Sequence, residues 1–287
     1  MTKRSYNRTT ATDGRTWTLG LLGLGLLLAL MIGAPTATQA QGSSAAEIMQ
    51  QAKDRWQGED FASSVRLTTA EPGGGETVLD VDFKAKLIEE SRETGAFRYK
   101  VLARVTAPED VAGWAVLIWE QEFPTPDDIW LYLPALDSTK KISLENFRNP
   151  LFGSEFVFED VIGREPGLDT HELLREDTLT VGGEERPVWV IRSTPNDPDL
   201  AGFAYRITYV DQETLLEVRM ELYNDADELI KRYQAEEVVE LQGIPTWVRA
   251  TAENLETGRV TTFEFLDPVY NTGVPDEIFD PENLGQP

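Results

Sequence analysis

Hydrophobic and polar positions change their period once along this chain, near residue 60. Before that point Ile48, Met49, Ala52 and Trp56 recur at helical spacing. Ser43 or Ser44 stands where a helix cap belongs, and Gly58 where a helix ends. The pattern predicts one amphipathic helix over residues 43–56. From Phe61 onward the period is two. Leu79, Val81, Phe83 and Ala85 alternate with Val78, Asp80, Asp82, Lys84 and Lys86. Further runs at 188–194, 205–210, 216–223, 229–239 and 259–266 are separated by short turn signals such as Gly182-Gly183, Asn224-Asp225 and Thr257-Gly258. Short turns between strands of similar spacing describe an antiparallel meander. About ten or eleven twisted strands curl on themselves, so the fold class is mainly β (α+β): a strongly curved antiparallel sheet forming a half-open barrel, with the helix against its concave face.

Two segments depart from alternation. Residues 114–119, WAVLIW, and 129–133, IWLYL, are apolar on both faces, whereas a sheet wetted on one side would alternate. These strands therefore meet something apolar on each side. Downstream, residues 145–160 have no clear period but hold Phe147, Leu151, Phe152, Phe156 and Phe158 around Gly153. Surface loops are normally polar. A loop this aromatic either plugs a core or lines a place where something apolar sits. The groove candidates are Trp114, Trp119, Trp130, Tyr132, Phe152, Phe156 and Phe158. The lid candidates are Ile48, Met49 and Trp56 on the helix.

The N-terminus changes the picture of where this sheet works. Lys3, Arg4, Arg8 and Arg15 precede a Leu-rich, uncharged stretch, Pro35 interrupts it, and Thr38-Gln39-Ala40 supplies small residues for cleavage. Residues 1–40 read as a Sec-type signal peptide cleaved after Ala40, leaving 41–287 as a single periplasmic domain. An uncleaved anchor is the rival reading. The chain has no cysteine, so no disulfide holds the fold and no acylated Cys anchors it. The net charge of −24 includes a positive leader, so the exported part is still more acidic. Such a surface repels nucleic-acid backbones and anionic headgroups, so nucleic acid is excluded as a partner.

Candidate chemistry is sparse. His171 is the single histidine and stands in the polar context Asp169-Thr170-His171-Glu172, which reads as a surface position. One His and no Cys give no zinc-type ligand set. No nucleophile elbow or phosphate loop is present, and Gly153-Ser154 reads as a turn with a locally bonded hydroxyl. The sequence points away from an enzyme and from any cofactor or metal.

A strand WLYLPAL at 130–136, followed by FGSEFVFED at 152–160, resembles the LolA-like outer-membrane lipoprotein-sorting protein family. Residues 105–117, 223–231 and 273–279 fit the same pattern. The family residue after Gly-Ser is Asp, and Glu155 stands there. The resemblance implies a half-open barrel whose apolar groove carries lipid or lipoprotein acyl chains toward the outer membrane. It also implies an acylated lipoprotein or lipid as cargo, an inner-membrane exporter and an outer-membrane acceptor as partners, and a monomeric carrier. The alternative is an accessory subunit that docks on an inner-membrane lipid exporter without carrying cargo.

Overall fold

The structure, a computed structural model, describes residues 43–143 and 148–286. The signal peptide and its cleavage after Ala40 lie outside the described residues, as does Phe147.

The helix α1 spans Ala45–Lys53. Ser44 caps it: its Oγ accepts from the Glu47 amide at 3.3 Å while the Glu47 carboxylate accepts from the Ser44 amide at 2.7 Å. This reciprocal pairing satisfies two amides that a helix start leaves without partners. The helix ends at Lys53, three residues earlier than the apolar spacing predicts, with Asp54 as its C-cap. Trp56 therefore leaves the stripe and stands 40% exposed.

Among the described residues fourteen strands make one antiparallel sheet. They are β1 (Asp60–Ala70), β2 (Glu76–Leu87), β3 (Tyr99–Ala107), β4 (Ala115–Trp119), β5 (Asp128–Leu133), β6 (Ser138–Ile142), β7 (Asp169–Val181), β8 (Glu184–Pro195), β9 (Tyr205–Asp211), β10 (Glu217–Tyr223), β11 (Leu229–Leu241), β12 (Ile244–Asn254), β13 (Val260–Phe265) and β14 (Val269–Tyr270). Their spatial order is β6-β5-β4-β3-β2-β1-β13-β12-β11-β10-β9-β8-β7, with β14 paired to β1. Two meanders thus run outward from a β1–β13 seam, where Leu67 faces Phe263 and Val65 faces Phe265. The strand count exceeds the ten or eleven that alternation suggests. One source of the excess is β7, whose sequence is mostly charged and exposed because it is an edge. Another is β14, which is two residues long.

The sheet is not closed. Its two edges, β6 and β7, are consecutive in sequence yet lie at opposite ends of the strand order. Both carry charge along the open edge, Lys140 and Lys141 on β6 and Glu172, Arg175, Glu176 and Asp177 on β7. Charged edges discourage pairing with another chain. In the connection between them, residues 148–168 lie on the inner face of the sheet. This topology gives the aromatic loop its position: the chain has to pass over the open side to begin its second meander.

Register assigns the faces. Val65, Leu67, Leu79, Val81, Ala103 and Val105 point inward with Phe263, Ala250 and Ala252, forming the main core. On the outer face, Leu102, Ala115, Leu117 and Tyr132 are covered by the C-terminal segment, with Val274, Phe279 and Leu284 buried there. The Trp119 indole donates to the Phe279 carbonyl at 2.9 Å, and Arg104 donates to the Leu284 carbonyl at 3.1 Å. The doubly apolar pattern of β4 and β5 is thus explained by a core on one side and the chain end on the other. The last turn is accordingly docked on the outer face of the sheet.

Candidate functional site

The connection between the edge strands folds into a tight plug. Phe152 and Gly153 both take positive φ, 51° and 77°, which reverses the chain within two residues. Glycine tolerates this at no steric cost, whereas Phe152 is held there by its surroundings. Leu151 then donates to the Phe156 carbonyl at 2.7 Å, and Pro150 bridges Val157. The Ser154 hydroxyl accepts from the Phe156 amide at 3.2 Å. A short helix, α2 (Phe158–Ile162), follows, with the Asp160 carboxylate accepting from the Val157 amide at 2.8 Å.

Apolar packing seats this plug on the inner face. Leu151 and Phe158 are buried with Leu87, Tyr99, Val101, Val116, Ile118 and Ile129. Phe156 meets Phe263 and Tyr233 at ring distances of 5.6 and 5.8 Å. Burying each of these three large side chains stabilises the closed form by roughly 1.5–3 kcal/mol.

Beside the plug lies a cavity of about 160 Å³. Its wall is apolar, formed by Val65, Leu67, Val81, Val101 and Phe265, with Phe152 and Phe156 contributed by the plug. A second cavity, about 230 Å³, continues toward β9–β11. Phe156, Asp160, Val161, Ile162, Arg55, Gln57 and Trp247 border both. The plug and α2 therefore stand as a partition between the two spaces.

Polar ties hold the partition at three points. Glu155, 6% exposed, accepts from Arg259 Nη1 at 2.7 Å and Asn254 Nδ2 at 3.0 Å, with Lys231 Nζ at 3.7 Å. Its amide donates to the Thr261 hydroxyl at 2.9 Å, and Arg259 also donates to the Gly153 carbonyl. At the far end of α2, Lys53 from α1 donates to the Ile162 carbonyl and to Glu120 Oε1, each at 2.7 Å, beside Glu165. Burial works against the Lys53 charge, but Glu120 and Glu165 prevail and raise its pKa. Behind α2, Glu159 accepts from Arg148 and Arg164 at 2.9 and 2.8 Å. Burial there is outweighed by the two guanidiniums, which hold the Glu159 carboxyl below its ordinary range. Asp160, which faces the cavity interior and not bulk water, is pushed up by burial despite Arg148.

Residues 98–286 match a family model whose description reads "Uncharacterized protein". The chain belongs to that family. Among curated proteins nothing matches. Among solved structures, a DUF1329 family protein from Desulfovibrio piger aligns with a TM-score of 0.73 at 20% identity, covering 84% of this chain and 97% of its own. A candidate outer membrane lipoprotein-sorting protein domain from Vibrio parahaemolyticus also gives a TM-score of 0.73, at 24% identity, with 84% and 98% covered. A LolA superfamily protein from Nitrosomonas europaea gives 0.60 at 21% identity, with 83% and 98% covered. The family fold is thus LolA-like: an open antiparallel barrel with few helices.

This LolA-like frame divides the aromatic candidates. Phe152 and Phe156 line the apolar cavity. Phe158 is buried behind the plug, and Trp114 packs against the inner core beside it. Trp119, Trp130 and Tyr132 stand on the outer face, under the C-terminal segment, where Trp119 and Trp130 meet edge to face at 5.1 Å. Alternation puts them opposite Val116 and Ile118, so no groove on the inner face reaches them. Ile48 and Met49 are fixed against Ile191 and Val210 on β8 and β9, and Trp56 is exposed outside the helix. The helix reaches the cavities only through its C-terminal end, where Ala52 and Lys53 line the second cavity.

Several residues of the site carry no signal in the sequence pattern. Arg55, Arg148 and Arg206 read as ordinary surface cations, yet all three line the second cavity. His171 is half-buried, with Nδ1 at 2.8 Å from Ser193 Oγ and Nε2 at 2.9 Å from the Pro166 carbonyl, and ties the plug's exit to β8. Its polar neighbours in sequence point to solvent on an edge strand, which hid this inward role.

Proposed function

We propose that this protein is a non-enzymatic carrier of lipid or lipoprotein acyl chains, working in the periplasm and moving cargo toward the outer membrane. One observation carries the reading: one wall of the apolar cavity is the connection between the edge strands, not the sheet itself. The closed cavity is of the size that admits a benzene-like guest, so an acyl chain requires the plug to move. Energetics permit the exchange. Seating Leu151, Phe156 and Phe158 is worth roughly 5–9 kcal/mol in all. A chain of about 16 carbons gains about 12 kcal/mol on paper, less the cost of ordering it. The two quantities are of the same order, so plug and cargo compete for one wall without either being locked in place.

The relatives' folds support this reading, and the lipoprotein-sorting description of the Vibrio parahaemolyticus structure supports its cargo class. Photocrosslinking tests it. A fatty acyl probe with a terminal photoreactive group is expected to label β1–β3, β13 and the plug at 150–162. Labelling confined to the outer face around Trp119 and Trp130, or no labelling of folded protein, contradicts it.

A further inference from the structure

The second cavity concentrates positive charge in a chain whose net charge is −24. Arg148, Arg164, Arg206 and Arg55 all border it. Facing them are Glu159, Asp160 and, behind, Asp169. These carboxylates are already engaged. Glu159 serves Arg148 and Arg164, Asp169 serves Arg164 through both oxygens at 2.9 and 3.2 Å, and Asp160 caps the Val157 amide. Lys53 is matched by Glu120 and Glu165, and Lys231 by Glu155. At the strand β10 side of the cavity, Glu217 is exposed and Arg219 donates to Gln234 Oε1.

Arg206 is left short. It is 3% exposed, and its Nε and Nη2 have no hydrogen-bond partner among the described residues. Nη2 lies 3.3 Å from Asp169 Oδ2 without the alignment of a hydrogen bond, and Nη1 reaches the Met220 sulfur at 3.6 Å. Among the described residues Arg55 has one acceptor, the Pro245 carbonyl at 3.2 Å, and no carboxylate partner. It borders both cavities and so stands where the apolar space passes into the basic one. Burying guanidinium groups without full pairing costs several kcal/mol, and an oxyanion with free lone pairs removes that cost.

We propose that the cargo is an anionic amphiphile, its alkyl chain in the apolar cavity and its phosphate or carboxylate head in the second cavity against Arg206 and Arg55. This rests on the carrier reading and adds the headgroup to it. A forked guanidinium suits either oxyanion. The acidic exterior disfavours loose attachment of the same head to the surface, so the basic pocket is the place where it gains most.

Displacement of a neutral fluorescent probe, N-phenyl-1-naphthylamine, tests the assignment. Hexadecyl phosphate, hexadecanoate and hexadecanol are titrated below their aggregation thresholds, with inorganic phosphate alone as a fourth arm. Both anionic chains are expected to displace the probe at concentrations at least about tenfold lower than hexadecanol, as charge-assisted hydrogen bonds to a buried site imply. Inorganic phosphate alone is expected neither to displace the probe nor to raise the melting temperature at concentrations where hexadecyl phosphate does both. Arg55→Gln, which gives up only a carbonyl contact and so keeps the fold, is expected to bring the anionic ligands toward hexadecanol while hexadecanol itself is unchanged. Arg206→Gln is expected to do the same. The comparison in the unaltered protein stands even if that buried variant fails to fold. Equal displacement by hexadecanol and the anionic chains overturns the headgroup site and leaves the carrier reading intact. Stabilisation by phosphate alone that matches hexadecyl phosphate overturns it in favour of a free-phosphate site. No displacement by any chain overturns both readings.

Discussion

Glu155→Gln should make the protein bind apolar ligands more tightly. The carboxylate anchors the plug to the β12–β13 hairpin through Arg259 and Asn254, and with Asp160 it is one of two anions acting on Lys231. A charge-assisted hydrogen bond to a buried acceptor contributes about 1.5–3 kcal/mol. Arg259 is 29% exposed, so water takes over part of its partner's role and its share falls toward about 1 kcal/mol. Lys231, 13% exposed, keeps Asp160 but loses one of its two anions and adds about 1 kcal/mol. Together the closed plug weakens by about 2 kcal/mol against the open one, since these contacts exist only when it is seated. Apparent affinity scales with the fraction of molecules that are open, so the neutral probe should bind about 30-fold more tightly until the open form dominates. Glu155→Asp keeps the charge and should shift affinity much less. Probe titration, paired with proteolysis at 150–157, reads both effects. Unchanged or weaker binding by a folded Glu155→Gln protein would refute the competition between plug and cargo.

Other expectations follow from the placement of single side chains. Trp119→Phe removes the hydrogen bond to the Phe279 carbonyl and should cost about 1 kcal/mol in urea unfolding while leaving probe affinity unchanged. Lys53→Met leaves Glu120 without its buried cation, while Glu165 keeps Arg98 at 3.4 Å, and should lower stability by about 3 kcal/mol, seen as a lower denaturation midpoint. Burial raises the Asp127 carboxyl to about 6, with Glu120 nearby adding to the shift. Its folded pKa lies above the unfolded value, so the folded state holds the proton more tightly. Stability from this group is therefore present below about pH 4 and lost as pH rises to about 6. Asp127→Asn can still accept from the Gln121 amide, and should flatten that slope and raise stability at pH 7.

The fold was largely legible because it rests on local signals. Alternation, turn residues and one capped apolar stripe specify a curved antiparallel meander, and these depend on near neighbours in sequence. β7 escaped because an edge strand open to solvent needs no apolar face, so its charges masked its period. The site was legible only in part. The density of Phe at 150–158 marked the plug, since a loop has no reason to be apolar unless it is buried. What sequence could not assign was which face of β4 and β5 serves which layer. WAVLIW is apolar on both faces, and only the docking of Val274, Phe279 and Leu284 decides that Trp119, Trp130 and Tyr132 look outward. The guanidiniums of the second cavity come from positions far apart in the chain, Arg55, Arg148 and Arg206, and nothing in their own neighbourhoods distinguishes them from surface charge. Topology brings them together, and the Arg206 nitrogens that lack a hydrogen-bond partner make the cluster visible.

Native mass spectrometry with lipid extraction, on protein isolated from its native cells without detergent, tests the carrier claim most directly. The account predicts a bound mass of lipid size, released on unfolding and carrying a phosphate or carboxylate head. A ligand-free mass, together with no uptake of the neutral probe by the folded protein, would contradict it.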